Sequence, residues 1–264
     1  MTAGMVESVR IRPALALAVI GVAWLAVHAD SCLARGGDQH PTTLRRAVTG
    51  EEADDGRNAS MPPVAHYVAG DGDRFILDKS GPVALLRFEH AEEIWALRPT
   101  PGPNGDTIYR NDIGQPVLRF TRLGGLTLFT PHQPWGEAVS VEGLAPVTRM
   151  QRGSLAMLVQ AHQNAILHIG RAMGHKFTLE AEGQGAEWLF ADSLNILTDT
   201  VEKLAALRDG RPYLNAIREI HLHPAKRMDA RLHNGVLDIA INPSEGIAGR
   251  PSSGRIAQAI VNPR

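Results

Sequence analysis

From His66 to about Val141 the apolar residues fall in short runs rich in β-formers: Arg74-Phe75-Ile76-Leu77, Val83 to Phe88, Ile94 to Leu97, Thr107 to Tyr109, Val117 to Thr121, Leu126 to Phe129 and Val139 to Val141. Each run has the length and composition of a strand. Between them lie Asp78-Lys79-Ser80-Gly81, Pro101-Gly102-Pro103-Asn104-Gly105, Asn111-Asp112-Ile113-Gly114 and Gly124-Gly125, residues that fix φ or supply positive φ where a chain reverses. Seven strands in sequence with such turns predict an antiparallel meander over 64–149, curled into a small barrel or sandwich.

After Met150 the hydrophobic period lengthens. Ser154 can cap a helix with the apolar stripe Leu155, Leu158, Val159, Ile166, Ile169 and Met173, ended by Gly174, the spacing of one helical face. A second helix is expected from about Ala186 to Leu207, with Leu189, Ile196, Leu197, Val201 and Leu204 in line and Asp209-Gly210 as its stop. Between them Lys176 to Glu182 alternates as a strand.

Further on, Ile220 and Leu222 alternate with Glu219, His221 and His223, and Met228–His233 and Val236–Ile241 flank Asn234-Gly235, a strong hairpin signal. A two-residue turn sets His233 opposite Val236, Leu232 opposite Leu237, Arg231 opposite Asp238, Ala230 opposite Ile239 and Met228 opposite Ile241. One face of this sheet, taken as antiparallel, is then apolar and packs under the helices. The fold class is α+β: a β meander followed by a two-layer α+β sandwich over 150–264, either a second module or continuous with the first.

The start of the chain adds an address. Arg10 and Arg12 precede an apolar run from Ala14 to Val27 that ends at Val27-His28-Ala29, the layout of an export signal cleaved near Ala29. The run is short of the roughly 20 residues of a spanning helix, so 1–29 reads as a signal peptide; the alternative is an uncleaved anchor in the inner membrane. Cys32 also admits a lipoprotein signal, but Ala29-Asp30-Ser31 fits that peptidase poorly. Residues 30–63 read as a disordered tether, with Gly36-Gly37, the acidic group Glu51, Glu52, Asp54 and Asp55, and Pro62-Pro63. Asn58-Ala59-Ser60 matches a glycosylation triplet by chance. With one cysteine, no intramolecular disulfide is possible.

Net charge is −1 with both signs interspersed, so neither a nucleic-acid groove nor a polybasic lipid contact is expected. Membrane contact is expected only through the N-terminal segment, if uncleaved.

One constellation could carry chemistry. Glu180, Glu182, Glu219, His221, His223, Asp229, Arg231, His233 and Asp238 project from one side of the sheet. His221 and His223, two apart on a strand, point the same way, and with His233 they are the candidate metal ligands. The competing readings are a solvated sheet face and a cover for the β module. His162 is expected as a core histidine bonded to a neighbour, with His168 on its flank. Asp71-Gly72-Asp73 is a turn, because Phe75 and Ile76 fill positions a calcium loop needs for a ligand and a glycine. Gly183-Gln184-Gly185 is a loop before a helix, since Trp188 blocks close backbone approach. Motifs for a hydrolase elbow, a zinc-protease helix, a phosphate loop and a cysteine pair are missing from the sequence. Ser154 and Ser252 read as caps or turn formers, leaving Ser193 and Ser253 as further hydroxyls. No catalytic residue is assigned and no cofactor is expected.

Phe75–Gly81, Ala84–Phe88, Gly105–Gly114, Thr121–Gly125 and the tail segment Ala248-Gly249-Arg250-Pro251-Ser252-Ser253 resemble an uncharacterised bacterial family, the domain-of-unknown-function family numbered 4908. The resemblance covers most of the chain after the tether. It implies an exported alphaproteobacterial protein and brings no catalytic residues. The expectation is an exported, periplasmic cell-envelope protein that binds another envelope component, a protein or a cell-wall polymer. The alternative is a metal-dependent or acid/base hydrolase working from the His and carboxylate face.

Overall fold

A computed structural model describes residues 62–148 and 153–263. The signal segment 1–29, Cys32, the tether up to residue 61 and the Asn58 triplet lie outside those residues. So does the chain around Met150, where the hydrophobic period changes.

The meander closes on itself. Eight strands, each paired antiparallel with the next, form a barrel in which β8 returns to β1: β1 (Val64–Ala69), β2 (Arg74–Asp78), β3 (Ala84–Phe88), β4 (Trp95–Pro101), β5 (Thr107–Arg110), β6 (Pro116–Phe120), β7 (Leu126–Leu128) and β8 (Glu137–Leu144). Seven strands were expected, and β1 is the addition. Val64–Ala69 alternates, burying Ala65, Tyr67 and Ala69, and lies within the β-rich stretch expected from residue 64, but it is not among the seven apolar runs that predict strands. Closure needs it, since it pairs with β2 on one edge and β8 on the other, with a register shift between His66 and Tyr67.

Tyr67, Phe75, Leu77, Leu86, Leu97, Leu118 and Leu128 are fully buried, so side chains fill this small barrel. The Tyr67 and Phe75 rings stack at 5.4 Å, and the Tyr67 hydroxyl is buried with no partner among the described residues.

One seam is only partly laced. β4 pairs with β3 through Trp95, Ala96 and Leu97, then changes partner and pairs with β5 from Arg98 to Pro101. Among the described residues its first half therefore has no strand on the β5 side.

The second module comprises α1 (Leu155–Met173), β9 (Thr178–Ala181), α2 (Glu187–Ala206), α3 (Arg211–Leu214), β10 (Glu219–Pro224), β11 (Asp229–His233), β12 (Val236–Ile241), a 3₁₀ segment (Pro243–Gly249) and α4 (Ser253–Val261). It has a core of its own, yet both modules belong to one compact unit. The sheet order is β11-β12-β10-β9. Here the expectation of an antiparallel sheet is corrected: β10 pairs parallel with both β9 and β12. The β9–α2–β10 crossover brings the chain back in the same direction, and β12 inserts between β10 and its own hairpin partner.

The hairpin register is as expected from Ala230↔Ile239 to His233↔Val236. Met228 is the exception, because β11 begins at Asp229. Asn234 (φ 51°) and Gly235 (φ 85°) both have positive φ, the requirement of the tight turn whose twist suits a hairpin.

α1 starts where Ser154 accepts a hydrogen bond from the Met157 amide and ends at left-handed Gly174. Its apolar stripe splits. Leu158, Ala161, Ala165, Ile169 and Met173 are buried, whereas Leu155, Val159 and Ile166 are exposed. The two alanines allow close approach on one side of the stripe, so that side carries the contact. Sequence periodicity also gave no sign of α4, which packs Ile256 and Ile260 into the core. Among the described residues no helix is long and apolar enough to cross a membrane.

Candidate functional site

The polar sheet face holds the candidate metal ligands but does not gather them. His223 Nε2 lies 3.0 Å from Asp238 Oδ1, and His221 Nε2 lies 3.4 Å from Glu219 and 4.0 Å from Glu180. His233 sits two strands from β10, opposite Val236 and in the row of Glu219. Two strand spacings amount to roughly 9–10 Å, too far for three imidazoles to share an ion bound at about 2 Å. His233 pairs instead with Asn234, its ring nitrogen 2.9 Å from the amide nitrogen. Arg231 stands opposite Asp238 as expected, but its side chain turns along its own strand to Asp229 at 2.6 Å. Among the described residues no three His, Cys, Asp or Glu side chains could hold one ion.

The dense polar cluster lies elsewhere, at the open half of β4. Gly249 begins it: a Cβ there would stand 1.9 Å from the Asn242 carbonyl oxygen, so only glycine lets the chain turn back at this point. Arg250 follows and is almost wholly buried. Its Nε meets Asp192 of α2, its Nη2 donates to the Ile94 carbonyl at 2.9 Å, and Glu93 is 4.0 Å away. Burial pushes the Asp192 carboxyl above its ordinary range, with Arg250 pulling the other way.

The next residues form the N-terminus of α4. Asp112, from the β5–β6 turn, accepts from the Ser252 amide at 2.9 Å and the Ser252 hydroxyl at 2.6 Å. Glu93, from the β3–β4 loop, accepts from the Ser253 amide at 2.9 Å and the Ser253 hydroxyl at 2.5 Å. Ser252 Oγ in turn accepts from the Arg255 amide, the capping role expected of it. Arg255 closes the set with Nε 3.2 Å from Asp112 and Nη1 3.6 Å from Asp229. A helix N-terminus offers unpaired N–H groups and partial positive charge. Here two barrel carboxylates supply the anion, so the same bonds that cap α4 attach it to the barrel.

A cavity of about 220 Å³ lies beside this cluster, walled by Trp95, Ala96, Ile113, Met228 and Ile247, with Arg98 among the residues around it. Arg98 is held at 2.6 Å by Glu245, and that pair holds the Glu245 carboxyl below its ordinary range. Trp95, Pro131 and Ser253 also border a larger hollow of about 580 Å³ towards α2.

Chemically the cluster is committed. Each serine hydroxyl donates to a carboxylate that already takes the same residue's amide, the geometry of a cap rather than of a nucleophile and its base. The available element is the mostly apolar cavity.

Ala248–Ser253 and Gly105–Gly114, two of the segments that carry the family resemblance, meet at the seam. Their link to Glu93 and Asp192 is not legible in the sequence, since no periodicity links residues 58 to 160 positions apart. The remaining motifs stand as read. His162 bonds the Leu179 carbonyl at 3.0 Å and His168 pairs with Glu202 at 2.7 Å. Asp71 receives the Asp73 amide in a turn, and Gly183–Gly185 precede α2.

A family model described as Domain of unknown function (DUF4908) matches residues 43–260. Neither a curated protein nor a solved structure matches the chain.

Proposed function

The chain belongs to the DUF4908 family, and we propose that it is an exported cell-envelope protein that acts by binding, with its ligand seat in the seam where residues 250–255 meet the barrel. Export rests on the basic start, short apolar run and small residues near Ala29. Binding rests on one observation: the seam combines a preformed cavity with walls whose charges and hydroxyls are already fixed by partners, leaving apolar surface as the attractive element. The ligand is an envelope component, a protein or a cell-wall polymer.

A second reading, a metal-dependent or acid/base hydrolase, draws on the His223–Asp238 and His221–Glu219 pairs. The two are separated by retention of envelope material on immobilised protein. Met228→Asp abolishes retention under the first reading, and the combined His221→Ala, His223→Ala and His233→Ala variant does so under the second.

A further inference from the structure

We propose that the seam cavity receives an extended polypeptide segment, which pairs with the backbone of Ala96 as an added strand and places one large apolar side chain in the pocket. This deepens the binding proposal above and rests on it.

The phase of β4 carries the argument. The Gly102 amide donates to the Asp106 carbonyl at 2.8 Å, and the ladder runs from Pro101↔Thr107 to Arg98↔Arg110 without a shift. Backbone groups alternate between the two edges of a strand, so the even-numbered residues of β4 turn their N–H and C=O towards β5. Pro99 and Pro101, which have no N–H to offer, occupy the other phase. Ile94, just before β4, follows the same direction, and its carbonyl is taken there by Arg250.

Ala96 lies between Ile94 and Arg98 and faces the same way. Among the described residues it has no ladder partner on that side, because β5 ends at Arg110 and the chain turns at Asn111, whose carbonyl accepts from the Gly114 amide. Ala96 lines the cavity. A strand edge with both a donor and an acceptor to offer is matched by an extended backbone, which supplies both complements at one residue.

The pocket fits the same ligand. At about 220 Å³ it is smaller than the roughly 300–1,000 Å³ that engulf a whole small molecule, and comparable with a single large side chain. Trp95, Ile113, Met228 and Ile247 make it apolar. A hydrocarbon would fill the pocket but leave the edge unpaired, and a sugar would do the reverse.

The test follows amide exchange and chemical shifts by NMR in the full-length purified protein. The probe is a capped pentapeptide of alternating leucine and threonine, with capped pentaglycine as control and hexanol as a pocket-only ligand. The peptide is expected to shift the Ala96 amide saturably and slow its exchange at least about tenfold. Pentaglycine should bind more than about tenfold more weakly, and Ile113→Ala should weaken the peptide and hexanol but not pentaglycine. An Ala96 amide untouched by millimolar peptide overturns the inference, as does one already protected without peptide, which would mean that the chain's own backbone occupies the edge. Hexanol binding without any peptide effect leaves the seat and removes the strand pairing. If neither ligand binds, both proposals fail.

Discussion

Arg250 and Asp192 meet across the seam, with the Arg250 side chain 2% exposed and its guanidinium also bonded to the Ile94 carbonyl of the barrel. One side chain thus ties α2 to the β3–β4 loop. Arg250→Ala would leave Asp192 and Glu93 without that countercharge in a buried setting, and the expected loss is about 3–5 kcal/mol. Asp192→Asn should cost less, because burial already works against the charged carboxylate. Urea unfolding of the two variants checks the order, and equal losses would contradict it.

Acid sensitivity should appear at Asp106. Hydrogen bonds from the Arg119 side chain and the Arg122 amide hold its carboxyl below the ordinary 3.8. The unfolded chain therefore binds the proton more readily, so the stabilisation is complete above 3.8 and is lost as pH falls through the lowered folded value. Asp106→Asn should be less stable than the parent at pH 7, and the gap should close towards pH 2–3. Unfolding midpoints at the two ends decide it, and a gap that widens in acid would count against the Arg119 pair.

Inside the barrel, Tyr67 buries a hydroxyl with no partner among the described residues, while its ring stacks on Phe75. Tyr67→Phe keeps the stack and removes the polar group, so stability should hold or rise by about 1–2 kcal/mol. A fall in the denaturant midpoint would show that the hydroxyl does find a partner.

On the sheet face the three histidines are too dispersed to share an ion. Zinc, manganese or calcium should therefore change the melting temperature of the parent no more than that of the variant lacking His221, His223 and His233. A specific site loaded to about 100 times its dissociation constant would add about 2.7 kcal/mol, a shift of several degrees. Such a shift, lost in the variant, would favour the hydrolase reading.

What could be read from the sequence was local. Asn234-Gly235 fixed a register that the fold keeps, because a two-residue turn leaves no freedom of pairing. Ser154, Gly174 and Ser252 punctuate helices for the same short-range reason. Strand direction was hidden, since Ile220 and Leu222 alternate with polar residues alike in parallel and antiparallel sheets. The α1 stripe was correct in period but too wide, because Ala161 and Ala165, not Val159 and Ile166, set the side of closest packing. The seam was least accessible: Arg250 finds Asp192 and Ile94 only once the barrel has closed and the α+β module has packed beside it.

A photocrosslinking residue placed at Ile113 or at His233 in living cells tests the central claim most directly. The account predicts an adduct from position 113 alone, on a chain recovered outside the cytosol and lacking its first 29 or so residues. An adduct from position 233 alone, or an intact chain in the cytosol, would contradict it.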